Sequence, residues 1–238
     1  MIKTMMKRVI ALLLAMLATV TTSAFAEQTV GSVTLRYNVK ANGVTLGEVR
    51  HTVEINQNRY TITSVERARG IVGLFANQIT RESRGTIVNQ RFRPTTYSET
   101  IRGRASRVAR LNWTTMTATF TTDESKVATF NANTVDRATF PYQYYLAQKA
   151  PPSGTYKQTV VDVKRAEEQQ FRNGGKETIN TPMGRIEAIR LERTGTSSSM
   201  KMWLSPAHGY LPVRIMFMDD KGNVLDQLIV EIVKGETS

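Results

Sequence analysis

The stretch Val33–Ile62, near the front of the chain, constrains the fold more than any other. Val33, Leu35, Tyr37 and Val39 alternate with Thr34, Arg36, Asn38 and Lys40. That is the two-residue period of a strand with one dry face and one wet face. Asn42-Gly43 supplies the positive φ angles of a tight hairpin turn, so Val44 onward folds back on Val33–Lys40. Apolar residues occupy even positions at Val44 and Leu46 but odd ones at Val49, Val53 and Ile55. Such a parity switch, here across Gly47-Glu48, is what a bulge produces, and a bulge bends a sheet. Arg59–Val65 extends the pattern as a third strand, with Tyr60 and Ile62 on the core side.

The same reading carries through the chain. Ile79–Val88, Thr95–Ile101 and Ala105–Trp113 are predicted strands, punctuated by Arg93-Pro94 and Arg102-Gly103. Met116, Ala118 and Phe120 alternate with threonines in another half-buried strand. Phe140–Lys149 is the predicted helix: Pro141 suits a first turn, Phe140, Tyr144 and Ala147 share a face, and Pro151-Pro152 ends it. Strands resume at Thr159–Lys164, Glu167–Arg172 and Thr178–Asn180. Arg185–Arg193 changes parity between Ala188 and Ile189, which predicts a second bulge. Met200, Met202 and Leu204 alternate, and Val213–Phe217 pairs with Val224–Val233 across Asp219–Asn223. The last strand is apolar on both faces, so it belongs inside the sheet rather than at an edge. No repeat and no linker divides the chain. The expectation is a mainly β protein, a single strongly curved antiparallel sheet or incomplete β-barrel with one short α-helix at its concave side or open end.

The first 26 residues read as a cleaved signal peptide. Lys3, Lys7 and Arg8 precede the apolar run Val9–Val20, and Ala24-Phe25-Ala26 is a small-x-small cleavage site. The expected single antiparallel domain is therefore residues 27–238, exported to the periplasm, with no integral span after processing. The chain has no cysteine, which excludes disulfides, thiolate metal sites, a cysteine nucleophile and a lipid-on-cysteine anchor. Its formal charge is +12, and without the three N-terminal cations residues 27–238 keep +9. Outside the cytosol the available polyanions are phospholipid head groups, lipopolysaccharide and acidic glycans; the alternative is a solvated basic surface without a specific partner.

Enzyme signatures are scarce: there is no nucleophile elbow, phosphate-cradling loop or zinc-protease motif. His51 and His208 read as structural residues, so neither metal, cofactor nor catalytic residue is expected, and a hydrolase is a distant alternative. The notable juxtaposition is apolar and basic. Arg67 and Arg69 precede the glycine-punctuated run Gly70–Phe75, and Arg81 and Arg84 follow it. Guanidinium groups fork onto phosphate or carboxylate, while Ile71, Leu74 and Phe75 suit an acyl chain. The competing reading is that those apolar residues fold inward as a plug with the arginines solvated. Nucleic acid is not expected, because no aromatic residues interleave with the arginines. A transmembrane β-barrel fits poorly with charged outward faces and a polar Lys234–Ser238 tail.

Several segments together resemble a known family. These are Tyr37-x-Val39, Gly43-Val44-x-Leu46-Gly47-Glu48, Gly70-Ile71-x-Gly73-Leu74, Arg93-Pro94-x-x-Tyr97, Thr181–Ala188, Trp203–Pro206 and Tyr210–Arg214. They look like the bacterial exported family catalogued as domain of unknown function 3108, over nearly all of residues 27–238. The resemblance implies a periplasmic, mostly antiparallel β protein and brings no activity or functional residues. In outline the expected architecture is also similar to periplasmic lipoprotein-carrier folds. The resulting expectation is a non-enzymatic envelope protein binding an anionic amphiphile or envelope component in a concave pocket. Arg67, Arg69, Arg81 and Arg84 would rim it, and Ile71, Leu74, Phe75, Trp113 and Tyr144 would give apolar contact. A scaffold that binds an envelope protein through a strand edge is the alternative.

Overall fold

The computed structural model describes residues 31–68, 78–196 and 198–236. Eight strands follow one another from the start of the described chain. They are β1 (Gly31–Ala41), β2 (Val44–Asn56), β3 (Arg59–Ala68), β4 (Ile79–Val88), β5 (Arg91–Ile101), β6 (Arg107–Asn112), β7 (Thr117–Phe120) and β8 (Asp123–Thr129), each antiparallel to the one before. A short β9 (Val135–Asp136), a 3-10 turn (Phe140–Tyr142) and α1 (Gln143–Ala147) follow. Then comes a second antiparallel series: β10 (Thr155–Val161), β11 (Ala166–Thr181), β12 (Gly184–Thr194), β13 (Ser199–Ser205), β14 (Leu211–Met218) and β15 (Val224–Glu236). β15 pairs with β1 and fuses both series into one fifteen-stranded sheet, with β8 at one end and β9 at the other. The doubly apolar last strand is thus central in the strand order, between β1 and β14, although Val233 on it stays exposed.

The sheet curls but its ends do not hydrogen-bond into a closed barrel. Register breaks supply the bending. One lies between Val39 and Lys40 opposite Leu46, a residue before the expected Gly47-Glu48 step, and it leaves Val44 exposed. The second expected bulge sits across the ladder: β12 is regular there, and β11 carries the extra residue between Asn173 and Lys176. That Gly174-Gly175 step joins what the sequence suggests are two strands into one. Pro94, expected as punctuation, lies within β5 beside another register break, the kind of strand position that tolerates proline. Gly47 explains the closeness of β2 and β3, because a Cβ there would stand 2.2 Å from the Arg67 carbonyl oxygen.

The helix is real but shorter than predicted. Its α-helical turns end at Ala147 because Gln148 adopts a left-handed conformation, φ 47°, and its N–H bonds back to the Tyr144 and Tyr145 carbonyls. Buried residues form three apolar clusters. The largest spans β1–β5 and β11–β15 and receives Tyr142. A second gathers Phe140, Tyr144, Val160, Phe171, Met200, Met202 and Ile215. In the third, Ala109, Leu111, Ala118 and Phe120 of β6 and β7 meet Val161 of β10, so side chains bridge the two ends of the curl.

Candidate functional site

Strand register places a polar row on the inner face. His51, Ser64, Arg81, Glu99 and Arg107 are successive partners across β2 to β6, and partnered residues share a face. Glu66 and Glu99 grip Arg81 from two sides, and Glu99 also takes Arg107. His51 is 7 % exposed and its Nδ1 lies 2.5 Å from the Tyr142 hydroxyl. Burial, helped by the positive charge of Arg81, drops its pKa to about 3, so the imidazole is neutral at physiological pH.

One row deeper, a buried carboxylate fixes the helix entry against this face. Asp136 Oδ1 accepts N–H bonds from Ala138 at 2.9 Å and Thr139 at 2.7 Å, and Oδ2 accepts the Ser83 hydroxyl. Since Ser83 gives its proton to Asp136, Tyr60 donates to Ser83 Oγ, at 3.0 Å. Burial pushes the Asp136 pKa up to about 6, against the lowering effect of these bonds. The result is a rigid link from β3 through β4 to the 3-10 turn.

Between the first and second apolar clusters lies a cleft of about 450 Å³. Ile62 and Tyr142 come from one wall, and Phe140, Phe171, Met200, Met202, Ile215 and Phe217 from the other. Its charged lining comprises Arg81, Arg137, Arg165 and Arg193 together with Glu66, Asp162, Glu167 and Asp219. Arg193 Nη2 donates to the Ser198 hydroxyl at 2.6 Å, while its buried Nε and the Gln227 Oε1 have no hydrogen-bond partner among the described residues. Burial pulls Arg193 below the usual guanidinium range; Glu167 opposes the shift, and the charges of Arg137 and Arg165 add to it. Arg193 therefore feels the positive charge of Arg137 and Arg165 beside an apolar trough. The arginines and carboxylates of the lining balance in number, and Arg165 pairs with Asp162 and Glu167, beside the apolar wall.

A family described as "Protein of unknown function (DUF3108)" matches residues 36–228. The chain belongs to that family. No curated protein matches this DUF3108 member. Among solved structures it is similar to a beta-barrel-like protein of domain of unknown function DUF1849 from Brucella abortus, at 9 % identity and a TM-score of 0.45, covering 88 % of this chain and 100 % of that one. It is also similar to the hypothetical lipoprotein YmcC from Escherichia coli (K12), at 9 % identity and a TM-score of 0.32, covering 84 % and 83 %.

Of the residues singled out in the sequence, Arg81 lines this cleft. Arg67 and Arg84 occupy the opposite strand parity, on the outer face, where Arg84 pairs with Glu82. Arg69, Ile71, Leu74 and Phe75 lie outside the described residues. Trp113 sits in the third cluster: its Nε1–H donates to the Pro94 carbonyl, its ring packs edge-on to Phe130, and Arg93 covers it. Tyr144 is buried in the second cluster with its hydroxyl bonded to Tyr156, away from the cleft. Parity alone separates Arg81 from Arg84, since Ser83 and Ile87 fix the odd positions of β4 as inward. Arg137, Arg165 and Arg193 carried no such signal, because three distant segments meet only through the curl. Both histidines have structural partners: His208 bonds through Nδ1 to Ser205, which is fully buried. Among the described residues no group of three or more metal-ligating side chains assembles, and no helix is long and apolar enough to cross a membrane.

Proposed function

We propose that this is an exported, non-enzymatic envelope protein that holds an anionic amphiphile in the cleft between its two larger apolar clusters. The observation that carries the reading is the cleft itself, where Arg137, Arg165 and Arg193 flank a trough of phenylalanine, methionine and isoleucine. Apolar walls with a few convergent polar groups are the usual make-up of a small-molecule site. The unpartnered Arg193 Nε and Gln227 Oε1 support it too, since buried polar atoms in a native protein ordinarily find partners. Export rests on the N-terminal charge, apolar run and cleavage pattern. Of the original rim, Arg81 keeps its place in the proposal, and Arg137, Arg165 and Arg193 replace Arg67 and Arg84.

Native mass spectrometry of the protein recovered from a Gram-negative periplasm tests this. An adduct of lipid mass is expected, and Phe217→Asp, which sets a carboxylate on the trough wall, is expected to reduce its occupancy at least tenfold. A clean apo mass for the wild type rejects the carrier reading and favours the scaffold without a small ligand.

A further inference from the structure

A second cavity, of about 560 Å³, opens where the two ends of the sheet face each other. One side is Tyr97, Glu99, Arg107 and Lys126 from β5, β6 and β8; the other is Arg137 and the β10–β11 turn, Asp162 to Arg165. Five cations face two carboxylates here, and both carboxylates are already engaged. Glu99 is held by Arg81 and Arg107, and Asp162 accepts the N–H groups of Lys164 at 2.7 Å and Arg165 at 3.0 Å within its own turn. Lys126, Arg137 and Lys164 have no carboxylate partner among the described residues. Tyr97, wholly buried, also lines the seam, and its hydroxyl has no hydrogen-bond partner among the described residues. A buried orphan hydroxyl is costly, and beside five cations it is a donor that an anion would satisfy.

We propose that this seam is a phosphate-binding subsite, taking the head group of the same amphiphile whose chain lies in the apolar cleft. The donors arrive from four separate segments, and a tetrahedral dianion offers acceptors in all those directions, whereas a planar carboxylate does not. Burial holds the Tyr97 pKa well above that of an ordinary phenol, so the hydroxyl keeps its proton and donates. Arg137, Asp162 and Arg165 line both cavities, so seam and cleft adjoin at these residues. The subsite rests on the carrier reading for its tail but not for its charge chemistry, so the two are separable.

Calorimetry on the exported protein with three probes separates them: dodecyl phosphate, dodecyl maltoside and inorganic phosphate. The wild type is expected to prefer dodecyl phosphate over dodecyl maltoside, with inorganic phosphate competing for the former. Lys126→Ala with Lys164→Ala removes two exposed cations of the seam. Lys126 also covers the Phe120 ring, so Lys126→Met, which keeps that cover without the charge, serves as the second variant. Each charge-assisted contact is worth on the order of tenfold in affinity, so the preference should fall by at least that factor. An unchanged preference overturns the subsite and leaves the carrier reading standing. Binding of inorganic phosphate that depends on both lysines, with no binding of dodecyl maltoside, retains the subsite as one for free phosphate and removes the carrier.

Discussion

Burial takes the charge off His51 and works against it on Asp136, and the two act on stability with opposite sign. His51 has a folded pKa of about 3 against an ordinary 6.5, so the unfolded chain binds its proton more readily. Its contribution is complete above pH 6.5 and is lost as pH falls toward 3. Asp136 has a folded pKa of about 6 against 3.8, so here the folded state binds the proton more readily. That contribution is complete below pH 3.8 and is lost as pH rises through 6. The shift of about two units corresponds to roughly 3 kcal/mol. Asp136→Asn removes this dependence while every other carboxylate titrates as before. Relative to wild type, the variant should therefore lose roughly 3 kcal/mol of unfolding free energy between pH 7 and pH 4. Urea denaturation at both pH values measures it, and a pH-independent difference between the two proteins would contradict the assignment.

Elements were legible where their signal is local. Val33–Lys40 and Met200–Leu204 each announce a strand by alternation, and Pro141 with Pro151-Pro152 frames the helix. What failed is what depends on partners. β8, Asp-Glu-Ser-Lys-Val-Ala-Thr, has almost no apolar face because it is a free edge, and its exposed charges discourage a second chain from pairing there. The β12 parity change looked like a bulge in its own strand, yet the extra residue is on β11 and only pairing reveals that. Arg137 reads as one arginine among many until the curl brings it to the cleft. Gly47 is a further position whose role needs the neighbouring strand, since a methyl there would overlap the Arg67 carbonyl. Gly47→Ala should cost about 1–3 kcal/mol by overpacking. Thermal or urea unfolding checks it, and hydrogen exchange should quicken first at Glu66–Ala68, where β3 must retreat.

At the scale of the molecule, the question is what keeps an unclosed fifteen-stranded sheet curled. Backbone bonds cannot, because β8 and β9 are not partners. The third apolar cluster does so with side chains: Phe120 and Ala109 from one end press on Val161 from the other, and the Thr122 hydroxyl donates to the Val163 carbonyl at 3.0 Å. Ser83 to Asp136 adds a polar tie inside the curl. Phe120 is 2 % exposed, so Phe120→Ala should destabilise by about 3–5 kcal/mol, the usual range for emptying a buried phenylalanine site. Stability alone does not distinguish a seam from an ordinary core, but the pattern of hydrogen exchange does. If the cluster joins the two ends, faster exchange should appear at Thr159–Val161 of β10 as well as along β6 to β8, although some forty residues of chain separate Phe120 from Val161. Protection lost in β6 to β8 while β10 stays as in the wild type would mean that the ends only lie side by side. The same loosening should weaken any ligand that bridges seam and cleft, because Arg137 and the Asp162–Arg165 turn would no longer face Lys126 and Arg107.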